Sequence, residues 1–253
     1  MNFEKANEAT DGHRLTQIEK NRDQMVTSPL DNEQLAALRQ LSTCAVANAI
    51  DTFALRLRNE GYANPGIRCI LPDLAPMVGY AVTLSIRCSN PPMVGGSYLD
   101  RTDWWPGISA VPEPRVIVIQ DLDTPPGVGA LLGGVHSQIL RALGCVGAVT
   151  NGGVRDLPAV AGIPFHLFAG SVAVSHAYVH IVETGNEVTV GGLKVKPGDL
   201  LHGDQHGLLS VPVEIADRIP GVAARLAEEE EQLIALCRSG DFTLEKLKTA
   251  VKR

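Results

Sequence analysis

The stretch Gly144-Cys-Val-Gly-Ala-Val-Thr-Asn-Gly-Gly-Val-Arg-Asp-Leu-Pro-Ala-Val160 decides how this chain is read. Its apolar run Val146–Thr150 predicts a buried strand that stops at a turn, Asn151-Gly152-Gly153. Arg155 and Asp156 follow at once, and Pro158 suits the first turn of a helix, where its missing N–H has no partner to lose. The pair therefore sits at a strand-to-helix junction, where open α/β folds place ligand chemistry. Arginine offers a planar fork to a carboxylate, and aspartate a hard oxygen to a divalent cation. The same two residues also suit a plain ion pair, or a cap in which Asp156 closes the helix that contains Pro158.

Working outward, Gly127–Gly144 leads into that strand. Leu132, Val135, Ile139, Leu140 and Leu143 recur at helical spacing, and Gly144 supplies the C-terminal stop. Gly133-Gly134 falls at or near the front of this helix, although the periodicity also allows a start nearer Ala130. Glycines there leave the amides of Gly134, Val135 and His136 unobstructed, and such a helix start attracts anions through its N–H groups and dipole. Glycines at this place also serve simply as loop formers.

Further along, an acidic cap opens a helix at Asp31-Asn-Glu-Gln34, and a second follows Ser42 with Val46, Ile50, Phe53 and Leu57 on one face. Ala81–Arg87, Val116–Ile119, Phe165–Ala169 and Tyr178–Val182 read as strands, the second apolar on both faces and so central. Glu187–Val190 and Leu193–Val195 form a hairpin across Gly191-Gly192. Glu214–Cys237 is helical, with a break or restart at Pro220-Gly221, and Thr243–Val251 makes a last helix. The order of elements defines an α/β chain, and the late hairpin fits a simple doubly wound sheet poorly. Residues 1–29 read as a polar N-terminal extension, 30–240 as the domain, and 241–253 as a C-terminal helix.

Composition narrows the function. The 253 residues suffice for one well-buried core, and the net charge of −6 gives no basic excess to neutralise phosphates, so nucleic acid is not the expected partner. No apolar run is long enough to span a membrane, and the N-terminus is not a signal peptide. Cys44, Cys69, Cys88, Cys145 and Cys237 lack metal-ligand spacing and read as buried free thiols in a reducing cytoplasm, the expected location. His166, His176, His180, His202 and His206 read as structural, and at His136 the backbone amide, not the imidazole, is the expected contact. Trp104-Trp105, in a proline-flanked loop, fit a subunit interface. No serine has a nucleophile-elbow context.

The turn Gly152-Gly-Val-Arg-Asp156 with its upstream helix start resembles the family of the regulator of ribonuclease activity A and the class II 4-hydroxy-4-methyl-2-oxoglutarate aldolases. Asp199 in Pro197-Gly-Asp-Leu-Leu-His-Gly-Asp204, the strand His206-Gly-Leu-Leu-Ser-Val-Pro212 and the closing charged helix extend the match from about Leu41 to Gly240. The resemblance implies a layered β/β/α fold of the swivelling-domain type with flanking helices, assembled as a homotrimer or a dimer of trimers. It implies a metal-dependent carbon–carbon lyase, an aldolase or oxaloacetate decarboxylase, that releases pyruvate from a small anionic 2-oxo acid through a metal-stabilised enolate. Asp156 would ligate Mg²⁺ or Mn²⁺, Arg155 would grip the developing oxyanion, and Gly133, Gly134, Val135 and His136 would hold the carboxylate. Glu230 would reach in from a neighbouring subunit. The chain departs from the aldolases at Gly134, where they carry an acidic residue. That departure also suits the family's other role, a non-catalytic protein that binds and restrains a ribonuclease.

Overall fold

The computed structural model describes residues 30–92 and 102–251. The extension expected over 1–29 lies outside the described residues. Asp31 opens α1 (Asn32–Arg39) with a full capping box: its carboxylate accepts from the Gln34 N–H at 2.8 Å, and the Gln34 side chain accepts from the Asp31 N–H at 2.9 Å. Ser42 caps α2 (Thr43–Asp51) through a 3.1 Å bond from the Ala45 N–H. This helix is shorter than its stripe predicted. The chain leaves it through Ala54 at φ 51°, a left-handed conformation that no helix continues, so Phe53 packs from beyond the helix and Leu57 is exposed.

Four parallel strands form the centre of an eight-stranded sheet: β2 (Met77–Arg87), β3 (Arg115–Asp121), β4 (Cys145–Val154) and β5 (His166–Val172). The short β1 (Arg68–Cys69) closes the β5 side. β2 is long enough to take two antiparallel partners on its other side. Its second half pairs with β6 (His180–Thr184), and its first half pairs with β9 (Leu200–Asp204), which turns into β10 (Gly207–Val211). The sheet is a nearly closed barrel, and an isolated antiparallel bridge joins Tyr62 to Leu209 of β10. The hairpin of β7 (Val188–Val190) and β8 (Leu193–Val195) lies over one face.

Alternation along the strands creates two cores. Ala81, Val116, Val118, Val149 and Phe168 face the hairpin residues Val188, Val190, Leu193 and Val195. Tyr80, Leu84, Ile117, Ile119 and Leu167 belong to a second cluster with Leu38, Val46 and Ile50 of the helices. The result is the β/β/α layering, with β3 apolar on both faces as its sequence predicted.

The remaining helices are α3 (Trp105–Ser109), α4 (Gly134–Ala142), α5 (Leu157–Ala161), α6 (Ile219–Arg238) and α7 (Leu244–Val251). Pro220 lies in the first turn of α6, so Pro220-Gly221 marks a start and not a break. The tryptophan expectation is corrected for Trp104, which is buried in the helix-side core; Trp105 is half-buried and packs against the same core. The cysteine expectation holds for Cys88 and Cys145; Cys69 is half-buried, and Cys44 and Cys237 are exposed.

Two imidazoles in this fold carry a pH dependence. Burial pushes His136 down to about 4, with His176 adding to the shift, and burial pushes His166 down to about 4, with Arg39 adding. Both are neutral when folded and protonate more readily once unfolded. Their contribution is therefore complete above the unfolded value near 6.5 and is lost as pH falls toward 4, by about 1.4 kcal/mol per pH unit for each. Urea midpoints should fall steadily from pH 7 to pH 5. A flat profile across that interval would contradict the burial of both rings.

Candidate functional site

The site is built where β4 ends. The strand does not stop at Asn151 as its sequence predicted; it runs on to Val154, with a register shift against β5 between Thr150 and Gly153. Extra residues at such a shift bend a strand, and glycines accommodate the bend. Asn151 ties the ends of β3 and β4 together, accepting from the Asp121 N–H at 2.7 Å and donating to the Asp121 carbonyl at 2.9 Å. Val154 bridges Leu132, and the Arg155 N–H donates to the Leu132 carbonyl at 3.0 Å. The Arg155-Asp156 turn is thereby fixed against the segment that leads into α4.

Asp156 occupies the cap position of α5 but caps nothing. Its backbone is left-handed, φ 55° and ψ 37°, and its side chain makes no bond to the helix it precedes. Instead Oδ2 accepts from the Gly134 N–H and Oδ1 from Arg155 Nε, each at 3.3 Å. Such long contacts are weak, so the carboxylate is oriented without being consumed. A non-glycine residue in this conformation costs about 1–2 kcal/mol, a kind of strain that clusters at functional sites. The side-chain cap of α5 is therefore absent, while the ion pair with Arg155 is present, and the same carboxylate is turned back across the start of α4.

Gly133 and Gly134 make that approach possible. A Cβ at Gly133 would lie 2.6 Å from Asp156 Oδ2 and 3.1 Å from Arg155 Cγ, so a side chain there would displace the pair. α4 starts at Gly134, which settles the choice between that residue and Ala130. Val135 is exposed, whereas His136 is buried, which removes its imidazole from the front of the helix. Arg155, Asp156, Gly133 and Gly134 are thus brought together, with the amides of Val135 and His136 in the same first turn of α4. Glu230 is not brought to them: it is exposed on α6, which packs chiefly on α2.

A neighbouring cluster escaped the sequence reading. Cys88, just after β2, and Asp121 and Asp123, at the end of β3, are all buried with ligand atoms within 4.8 Å of one another. Asp121 accepts from the N–H groups of Asp123 at 3.0 Å and Gly127 at 2.8 Å. Asp123 accepts from those of Cys88 at 2.7 Å and Ser89 at 2.8 Å. Burial alone would raise the Asp123 carboxyl, but these bonds and Arg87 outweigh it and hold the group below the usual carboxylate range. Burial, followed by the two aspartates, pushes the Cys88 thiol up to about 12. The donor set is compatible with a metal, yet its carboxylates already fix the loop between β3 and α4. The acidic residues at the end of β3 were the available signal, separated in sequence from the cysteine.

Three of the other histidines have structural partners. His202 lies between Thr43 Oγ1 and the Leu38 carbonyl, each at 3.1 Å, His176 Nδ1 is 3.0 Å from the Ala130 carbonyl, and His206 Nδ1 is 3.0 Å from Asp204. Asp199 also serves locally, accepting from the Lys196 N–H at 2.8 Å in the turn before β9. No helix among the described residues is long and apolar enough to cross a membrane.

The structure is that of an α/β protein with an arginine–aspartate turn set against an open helix start, and the comparisons agree on its fold and family. Residues 43–209 match the RraA-like family, described as Aldolase/RraA, and the chain belongs to that family. A protein of Halalkalibacterium halodurans, provisionally named a 4-hydroxy-4-methyl-2-oxoglutarate aldolase, is 29% identical over 84 residues, which are 33% of this chain and 40% of that relative. An uncharacterized protein of Methanocaldococcus jannaschii is 26% identical over 78% of this chain and 86% of its own length. Among solved structures, an uncharacterized Pseudomonas syringae protein superposes with a TM-score of 0.67 at 23% identity, covering 89% of this chain and 97% of its own. Streptomyces coelicolor RraAS2, described as an unusual member of the RNase ES inhibitor RraA family, gives 0.63 at 22% identity over 80% of this chain and 96% of its own. These two structural likenesses show the fold.

Proposed function

We propose that this chain is a divalent-metal-dependent carbon–carbon lyase that acts on a small 2-oxo acid and releases pyruvate. The observation that carries the reading is the left-handed Asp156, whose carboxylate turns away from its own helix toward Arg155 and the glycine start of α4. The residues fit a hard cation: one partly exposed carboxylate offers oxygen, the glycines leave space in front of it, and Mg²⁺ commonly takes few protein ligands and keeps several waters. Mg²⁺ or Mn²⁺ held by Asp156 would supply positive charge to polarise the keto group.

The chain's own groups carry the rest. The N–H groups of Val135 and His136 bind the substrate carboxylate at the positive end of α4. The carbon–carbon bond beyond the keto group breaks, its electron pair moves into the enolate of pyruvate, and the other fragment leaves as carbon dioxide from oxaloacetate or, as its hydroxyl gives up a proton to a base, as a second 2-oxo acid from the aldol substrate. Arg155 faces the oxygen on which that charge develops, where a preorganised cation lowers the barrier most. A proton then completes pyruvate. The reading includes a homotrimer or dimer of trimers in which Glu230 of the partner subunit completes the site. The exposed outer length of α6 supports that arrangement. A cytoplasmic location is part of the same reading.

Gly134 favours a second reading, a non-catalytic binding protein of the ribonuclease-regulator type, because the site holds one carboxylate fewer than the aldolases it resembles. One experiment separates the two. Protein whose mass by light scattering is that of a trimer or hexamer is assayed for pyruvate from oxaloacetate and from 4-hydroxy-4-methyl-2-oxoglutarate, with and without chelator. The lyase reading expects chelator-sensitive release. Release that ignores chelator, a monomer, or no release with added Mg²⁺ or Mn²⁺ counts against it, and the last would move the binding reading ahead.

A further inference from the structure

On the hairpin side of the sheet, a cavity of about 200 Å³ opens between β2, β3 and the turn joining β6 to β7, and neither Arg155 nor Asp156 lines it. Its floor is one row of side chains crossing three strands. Ser85 on β2 stands opposite Gln120 on β3 and opposite Glu183 on β6, and all three line the cavity. Ser85 is 6% exposed, and its Oγ has no hydrogen-bond partner. Buried hydroxyls are rarely left unpaired, because desolvation without compensation is costly. An orphan at the floor of a cavity points to a partner that enters from outside.

The walls indicate the kind of partner. Glu183 and Glu187 supply two carboxylates, and Val188 contributes apolar surface. Asn186 donates to Glu183 Oε2 at 3.0 Å, which orients that carboxylate. Lys196 lies 4.0 Å from Glu187 Oε2 on an exposed side chain, so it offsets one of the two charges at most. The Gln120 carbonyl oxygen is engaged by the Thr189 N–H at 2.9 Å. A net negative cavity with oxygen acceptors spread around it suits a group with several diverging N–H donors. A metal ion suits it less, since hard cations need oxygens that converge on one point. The tight trio found among the described residues is Cys88, Asp121 and Asp123, whose aspartates adjoin Gln120 and Leu122 along the chain but do not line the cavity.

We infer that this cavity is a second ligand site, which takes a small organic monocation bearing a primary ammonium group, seated on Ser85 Oγ between Glu183 and Glu187. The inference is independent of the lyase reading. With carboxylates this exposed, affinity on the order of millimolar is expected.

The probe is methylammonium chloride, followed by saturation transfer to its methyl protons at constant ionic strength, with tetramethylammonium chloride as the comparison cation lacking N–H donors. The parent protein should bind methylammonium and discriminate against tetramethylammonium. Ser85→Ala should weaken binding about tenfold by removing the buried acceptor from a charged donor. The double change Glu183→Gln with Glu187→Gln, both at exposed positions that leave folding intact, should abolish it. No binding by the parent at tens of millimolar, equal binding of both cations, or unchanged binding in either variant would each overturn the inference.

Discussion

Changing Asp156→Ala should lower chelator-sensitive pyruvate release by about a thousandfold while the protein stays folded. The magnitude follows from removing the one carboxylate that the turn presents to a cation. A divalent ion contributes several kcal/mol to stabilising developing charge, and about 1.4 kcal/mol is a tenfold change in rate. Stability is affected far less, because the side chain is partly exposed and its two contacts are each 3.3 Å long. The left-handed backbone at φ 55° is the one complication, since alanine tolerates it less well than aspartate. Asp156→Asn resolves this. Asparagine accepts the conformation and keeps the shape but removes the charge, so it should lose activity equally and melt with the parent. Normal turnover by the asparagine variant, with its fold intact, would remove Asp156 from any metal and the lyase mechanism with it.

The core of this fold was legible because it is written in local alternation. β3 is apolar on both faces, and a strand sandwiched between a helical layer and a hairpin layer must be so. The capping box at Asp31 and the hairpin across Gly191-Gly192 were legible for the same reason: each is a contact between residues a few positions apart. What escaped the sequence depends on partners far along the chain. The fate of Trp104 was decided by the core it enters, not by the prolines that flank it. The bend that carries β4 through Asn151-Gly152-Gly153 depends on pairing with β5. Three such turn residues look the same in sequence whether a strand ends or bulges.

The site shows the same division. Arg155 and Asp156 could be singled out by type and position, but adjacency alone could not choose between a cap, an ion pair and a ligand. The proposed ligand role rests on Asp156 facing Gly134, twenty-two positions upstream. The cluster of Cys88, Asp121 and Asp123 was hidden because its first member follows β2 and the others end or follow β3, strands that become neighbours only in the sheet. Glu230 could be named only through resemblance, and within one chain it stays remote from the turn.

Gly134→Asp should tighten Mg²⁺ binding by about 10–100-fold, the usual effect of an outer-shell carboxylate on a metal site. The structure leaves room for it. A Cβ at this position would meet the Ala159 methyl at 3.1 Å and Asp156 Cβ at 3.9 Å, so a neighbour must give by a few tenths of an ångström and nothing in the backbone obstructs it. As the first residue of α4, an aspartate there also complements the helix dipole. The cost appears when no cation is present, because two carboxylates would then share one site and repel. The variant should therefore melt below the parent in chelator and recover in Mg²⁺ by more than the parent does. That difference can be read by thermal unfolding without any assay of activity, and a matching rise in pyruvate release is expected beside it. A folded variant whose melting ignores Mg²⁺ would show that the turn does not present Asp156 to a cation. The open start of α4 would then be left for the ligand of a binding protein.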